Sequence, residues 1–332
     1  MAKSDVTVSI TITKNIPSYG FGTPLILVSK ASSAIAYREY FSLDDMKTDY
    51  AEETEVYKRA AVIWEQDGAP AKIAACSSTK KAAEALEEIY NQDWRQLVCV
   101  LAEAEDSTEA EVAAYMETKD DRLYFVTFES ETALEGAITT KGDRTVAFVY
   151  GGDSLYPECA LIGATAGKEA GSITYKNTIL KGIEPEVLTD EQIDGIHDAG
   201  GLCFVTKAGD NVTSEGKVMS GEYIDIIDSK DWIISEIVYN TQKLLNTMPK
   251  VPYTNKGIAM LETQCVNVLK QAYENGMIAD NDEGLPDYST SYALRNEVSA
   301  ADRIERKYLQ GKFTFGLAGA IHQVHVDGEI IV

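Results

Sequence analysis

Residues 71–102, AKIAACSSTKKAAEALEEIYNQDWRQLVCVLA, decide the fold class. AKIAACS (71–77) is a continuous apolar run of strand length. Lys80 to Asn91 then places Ala82, Leu86 and Ile89 on one helical stripe, and QLVCVLA (96–102) returns to an unbroken apolar run. A strand buried on both faces loses the alternation of a half-exposed strand, so these runs read as interior strands. Strand, helix, strand in that order is a βαβ unit with a right-handed crossover. The pattern extends in both directions. LILVS (25–29) is a buried strand, and Thr54 to Gln66 a helix with Val56, Ala60 and Ile63 inward. Ser107 to Glu117 is a helix capped by Ser107 or Thr108, followed by strand LYFVTF (123–128), a short helix from Glu131 and strand TVAFVY (145–150). The spacing predicts a mostly parallel sheet covered on both faces.

Such a sheet offers a ligand crevice at the carboxyl ends of its strands, and the residues there give it little chemistry. KASSAIAY follows the first strand without a Gly-rich turn. STKKA after AKIAACS could draw a phosphate to a helix start, but a solvated helix end is the simpler reading. Gly163-Ala-Thr-Ala-Gly167-Lys168 imitates a phosphate loop, yet its glycines are one residue too close and Glu169 stands where a hydroxyl must hold magnesium. Asp280-Asn-Asp-Glu-Gly284 opens like a calcium loop, but Leu285 and Ser291 occupy later ligand positions. His322 and His325, three apart in strand-like sequence, point to opposite faces and cannot share a metal. His197-Asp198 sits in a short loop-bounded helix, and no zinc-spaced cysteine set occurs. With 53 acidic residues, pairs of carboxylates carry no information. No catalytic, cofactor or metal site is expected.

Composition narrows the partners. The chain has 332 residues, 45% apolar and 25% charged, with a net charge of −23 divided between both halves. Nucleic-acid binding needs clustered Lys and Arg, and anionic lipid repels such a surface, so neither is expected. The five cysteines are far apart and each lies in an apolar run, as buried free thiols in a reducing cytoplasm do. No signal peptide and no apolar run of membrane-spanning length is expected.

The organisation changes after residue 150. Residues 151–220 are rich in glycine and loop-like, with a short helix opened by Thr189 and a strand–turn–strand at 201–225 whose turn is Gly209-Asp-Asn211. Next comes GEYIDIIDSKDWIISEIVYNTQKLLNTMPKVPYTNKGIAMLE (221–262). Asp228 is placed to cap a helix, with Asp231 three residues on and Ile233, Ile237, Leu244 and Met248 on one face. Pro249 and Pro252 stop it, and Thr254 caps a second helix with Ile258, Leu261, Cys265, Val268, Leu269 and Ala272 inward, ended at Asn275-Gly276. Both termini read as strands. Val6, Val8, Ile10 and Ile12 alternate with Ser and Thr, and 312–332 is β-rich with Val324, Val326, Ile330 and Val332 at its end. A lone apolar strand at a chain end, with no hairpin partner beside it, must pair at a distance.

The order and spacing of Val218-Met-Ser-Gly-Glu-Tyr-Ile-Asp225, Lys250-Val-Pro-Tyr-Thr-Asn-Lys-Gly257, Asn275-Gly-Met-Ile278, Ala301-Asp-Arg303 with Arg306, and Leu317-Ala-Gly-Ala-Ile-His322 to Gly328 resemble the carboxyl-terminal region of contractile tail sheath proteins. That family belongs to bacteriophages and phage-tail-like bacteriocins, and the likeness covers residues 201–332. Ala166-Gly-Lys-Glu-Ala-Gly171 departs from the Ala-Gly-x-x-Ala-Arg-Asp segment of many relatives. The resemblance implies an amino-terminal arm strand (1–18), an α/β outer domain with a mostly parallel sheet (19–200), an α+β tube-facing domain (201–320) and a carboxyl-terminal arm strand (321–332). Each arm would add a strand to a sheet of a neighbouring subunit. It further implies a structural, non-enzymatic homo-oligomer of hexameric rings stacked helically around a tail tube protein. Baseplate and tail terminator proteins would be further partners in a virion or tail-like particle assembled in the bacterial cytoplasm, with no cofactor. A cytoplasmic α/β enzyme or small-molecule-binding protein is the alternative.

Overall fold

The structure, a computed structural model, describes residues 21–101 and 108–322. The arm strands expected at Val6, Val8, Ile10 and Ile12 and at Val324, Val326, Ile330 and Val332 lie outside the described residues.

The alternating half runs β1 (Pro24–Val28), β2 (Ile35–Tyr40), α1 (Leu43–Met46), α2 (Glu55–Glu65), β3 (Ile73–Ser77), α3 (Ala82–Ile89), β4 (Gln96–Val100), α4 (Glu109–Lys119), β5 (Leu123–Phe128), α5 (Glu131–Ala137) and β6 (Thr145–Val149). After it come α6 (Pro157–Thr165), α7 (Asp190–Asp198), β7 (Gly201–Leu202), β8 (Phe204–Lys207) and β9 (Asp210–Thr213). The rest is α8 (Ile224–Thr247), α9 (Asn255–Glu274), β10 (Tyr288–Tyr292), α10 (Ala300–Ile304) and β11 (Gly311–Phe315).

Seven strands form one sheet in the order β2-β3-β1-β4-β5-β6-β7. All pairings are parallel except β2 against β3. Successive side chains of β1 serve opposite faces: Ile26 packs into the core formed with α2 and α6, and Leu25 and Leu27 into the core formed with α3, α4 and α7. The strands are buried on both sides, and for that reason they read as unbroken apolar runs.

Besides the single turn α1, two elements of this layer were not expected. The first, β2, is half exposed along its length, as an antiparallel edge strand is. The second, α6, has all nine residues buried. A helix surrounded by core shows no polar face, so its sequence lacks the periodicity that marks a helix. Of the glycines of the imitation phosphate loop, Gly163 lies in it and Gly167 just past its end. A Cβ on Gly163 would collide with the Ile63 carbonyl at the end of α2, and one on Gly167 with the Gly68 carbonyl. They are there so that two backbones can touch.

The strand–turn–strand is the ribbon β8–β9, turning at Ala208-Gly209, one residue ahead of the expected Gly209-Asp-Asn211. The seven-stranded sheet extends past residue 200, because Ala147 and Phe148 pair with Gly201 and Leu202. The change of layer falls inside α8. Ile224 and Ile227 complete the α2–α6 core, while Ile233 and Ile237 enter a third cluster with Cys265, Val268, Leu269 and Ala272 of α9. The ribbon β10–β11 packs Tyr288, Tyr292, Phe313 and Phe315 against that cluster. Thr254 caps α9 as expected, its side chain accepting from the Gly257 amide at 3.3 Å. The start of α8 differs: Tyr223 is the N-cap, and Asp228 and Asp231 lie inside the helix.

Candidate functional interface

Asp228 and Asp231 are buried because they meet arginines from the sheet. Arg95, Arg122 and Arg144 each stand one residue before a strand, β4, β5 and β6, and each is at most 3% exposed. They therefore line the amino-terminal edge of the sheet. Arg95 donates to Asp228 Oδ1 at 2.6 Å and to Asp231 Oδ2 at 2.8 Å. Arg144 also donates to both oxygens of Asp231, and to Asp120 Oδ1 at 2.8 Å. Tyr175 donates to the second oxygen of Asp228 at 2.7 Å. Burial alone would raise the Asp231 carboxyl, but Arg95 and Arg144 outweigh it and hold the group below its ordinary range. Arg122 takes no part in these pairs. It lies over the rings of Trp94 and Tyr90, 3.9 and 4.3 Å from their centroids, and burial lowers it to about 10.

This junction fastens α8 to the sheet. A cavity of about 30 Å³ opens beside it, bordered by Phe21, Arg95, Tyr175, Asp225 and Asp228. That is an order of magnitude below the roughly 300 Å³ at which small-molecule sites begin. Among the described residues no group of three His, Cys, Asp or Glu is gathered closely enough to hold a metal, and no helix is long and apolar enough to cross a membrane. His197 is half-buried, with Nε2 2.9 Å from Ser214 Oγ, which itself accepts from the Cys203 amide. Burial of Ser214 makes this a structural pair.

The other notable surface is the far side of α8–α9. Beyond Val238, α8 leaves the core: Leu244, expected inside, is partly exposed, and Leu245 and Met248 are exposed. The segment before β11 leans on this tip. Arg295 reaches Asn255 and the Tyr253 carbonyl, and Tyr253 donates to the Lys307 carbonyl at 2.8 Å. Leu294, Ile304 and Leu309 are exposed beside them. The ribbon β10–β11 has an apolar face on α9 and a polar one outward, where Ser289 and Thr314 hydroxyls meet at 2.8 Å. Among the described residues, nothing pairs with either outer edge of this ribbon. His322, expected in a strand, follows β11 outside one.

This architecture resembles that of solved contractile-sheath subunits. It is similar over its whole length to a chain of the anti-feeding prophage helical sheath in its contracted state, with a TM-score of 0.70, 12% identity and 99% of each chain covered. The sheath complex of the extracellular contractile injection system PVC, also contracted, gives 0.71 and 11%, covering 99% of this chain and 98% of that one. A sheath tail protein of Listeria innocua gives 0.56 and 8%, covering 92% and 97%. Residues 224–286 match the family described as E217 tail sheath protein gp31-like, C-terminal domain. The matched span is α8, α9 and the turn after them. No curated protein sequence matches the chain.

Proposed function

We propose that this chain is the sheath subunit of a contractile, phage-tail-like injection machine. The match of residues 224–286 to the sheath carboxyl-terminal domain carries this reading, supported by likeness along the full chain to contracted sheaths. In it, the seven-stranded sheet and its helices form the outer part, and the α9 core with β10–β11 forms the part facing a tube. The two divide within α8. Residues 1–18 and 321–332 act as arms, and Val6, Val8, Ile10, Ile12, Val324, Val326, Ile330 and Val332 add strands to neighbours. The ribbon β10–β11 is the fitting acceptor, because its apolar face is seated while, among the described residues, both edges stay open to backbone pairing. Subunits would join as hexameric rings in a helical stack within a tail-like particle, with baseplate and terminator proteins at its ends.

The tube-facing surface is the α8–α9 tip. The segments that form it, residues 239–262 and 294–307, carry Lys243, Lys250, Lys256, Arg295, Arg303, Arg306 and Lys307 against Glu262, Glu297, Asp302 and Glu305, beside exposed Leu245, Met248 and Ile304. This local basicity in a chain of −23 suits an acidic partner surface rather than the basic one that overall charge suggests. Contraction would release energy stored at assembly, by rigid-body movement of linked subunits.

Electron microscopy of the purified full-length chain tests the reading. Striated tubes, long and short, are the expected result. A monodisperse monomer at all concentrations, unchanged by addition of a tail tube protein, refutes it.

A further inference from the structure

The two ends of the described chain, far apart in sequence, arrive at one cluster of side chains. At the amino-terminal root, the Phe21 ring lies 4.9 Å from the Arg95 guanidinium, and the Arg95 amide donates to the Thr23 carbonyl at 2.9 Å. At the carboxyl-terminal root, His322 Nε2 is 2.9 Å from Thr174 Oγ1, and its ring stands edge-on to Tyr223 with centroids 4.7 Å apart. Just upstream, the Ala318 amide donates to the Met277 carbonyl at 2.9 Å. Between the roots, Tyr175 follows Thr174 in the chain and donates to Asp228, whose other oxygen is held by Arg95. Phe21, Arg95, Asp228, Tyr175, Thr174 and His322 are thus an unbroken series of contacts. It rests on the start of α8, where Tyr223 is the cap.

We infer that this series ties the two arm roots together, with Phe21 and His322 as its positioning residues. The inference rests on the reading of both termini as inter-subunit arms. A strand that joins a neighbour transmits a pull only if its root is fixed, and a fixed root also raises the effective concentration of the arm at its acceptor. Here the fixation of one root depends on the other, so tension entering by one arm leaves by the other through the start of α8.

Contact alone does not establish coupling, so the test measures it. Hydrogen exchange on dispersed full-length subunits has a reporter at each root, the Arg95 amide and the Ala318 amide. His322→Ala is expected to speed exchange at Ala318 and also, about threefold or more, at Arg95, with α3 unchanged. Phe21→Ala is expected to do the converse. His322→Gln, which keeps a polar group facing Thr174, restores both. Tyr175→Phe removes the central link, so Phe21→Ala on that background no longer reaches Ala318. Effects confined to the mutated root overturn the tie. Should His322→Ala fail to fold, Phe21→Ala and Tyr175→Phe decide the matter alone. In assembly, the rise in critical concentration for the double variant should fall short of the product of the single rises; a full product overturns the tie. If wild-type chain forms no tubes, the sheath reading fails, and the exchange comparison still decides the coupling.

Discussion

The sheet layer and the α8–α9 layer bury their residues in opposite styles. β3 and β6 are buried at every position, with helices on both faces of the sheet. β10 and β11, by contrast, alternate between partly buried and exposed along a two-stranded ribbon, and α8 carries exposed leucine and methionine through its last turns. An isolated two-stranded ribbon is marginal in water. The first layer is closed on both faces among the described residues, and the second leaves an apolar tip and ribbon edges exposed there. In the proposed sheath, that exposed layer is where neighbouring subunits would join.

The largest expected effect tests what holds the layers together. Asp231→Ala leaves Arg95 and Arg144 buried and short of a counter-charge, which costs about 3–5 kcal/mol. Denaturant unfolding of the dispersed subunit should then separate into two transitions, with the α8–α9 layer melting first. If the transition stays single and unshifted, the junction is not what joins them. Next, Leu269→Ala empties part of the third cluster and costs about 2–5 kcal/mol. In the proposed assembly, where neighbours would reinforce this layer, it should lower the melting temperature of subunits far more than that of tubes. A smaller effect separates the sheet layer: Gly163→Ala forces α6 off the α2 backbone, at about 1–3 kcal/mol. That loss should be the same in subunit and tube. Thr254→Ala removes the α9 cap for about 1 kcal/mol, measured by the denaturation midpoint.

Acid probes the same junction without mutation. The Asp231 carboxyl is depressed in the folded state, so its stabilisation is fully present above the ordinary aspartate value of about 4. It is lost as pH falls below that value towards the folded one. Asp231→Asn should flatten the loss of stability between about pH 4 and pH 2.

Most of the sheet could be read from the sequence because its strands are continuous apolar runs and its helices one-sided. Val56, Ala60 and Ile63 of α2 are buried as their spacing predicts. What escaped did so for two reasons. α6 is apolar all round and so shows no helical stripe, whereas β2 and β10 do alternate, but over five or six residues, IAYREY and YSTSY, that include polar and charged side chains. The junction was hidden differently. Aspartates near a helix start look like caps, and the arginines that claim them lie 87 to 136 residues away. The signal available was an arginine immediately before each of three strands: Arg95, Arg122 and Arg144. The arm residues lie outside the described chain, so their expected role stands on the resemblance and on the open edges of β10–β11.

The continuity of α8 also governs how such a protein can be inherited in pieces. One helix of 24 residues, about 36 Å long, serves two cores, and its acids neutralise arginines encoded far upstream. A genetic exchange that brings in a foreign sheet layer without matching arginines strands two carboxylates in the interior. Recombinants between relatives should therefore survive only when Arg95 and Arg144 travel with Asp228 and Asp231, or when all four are replaced together.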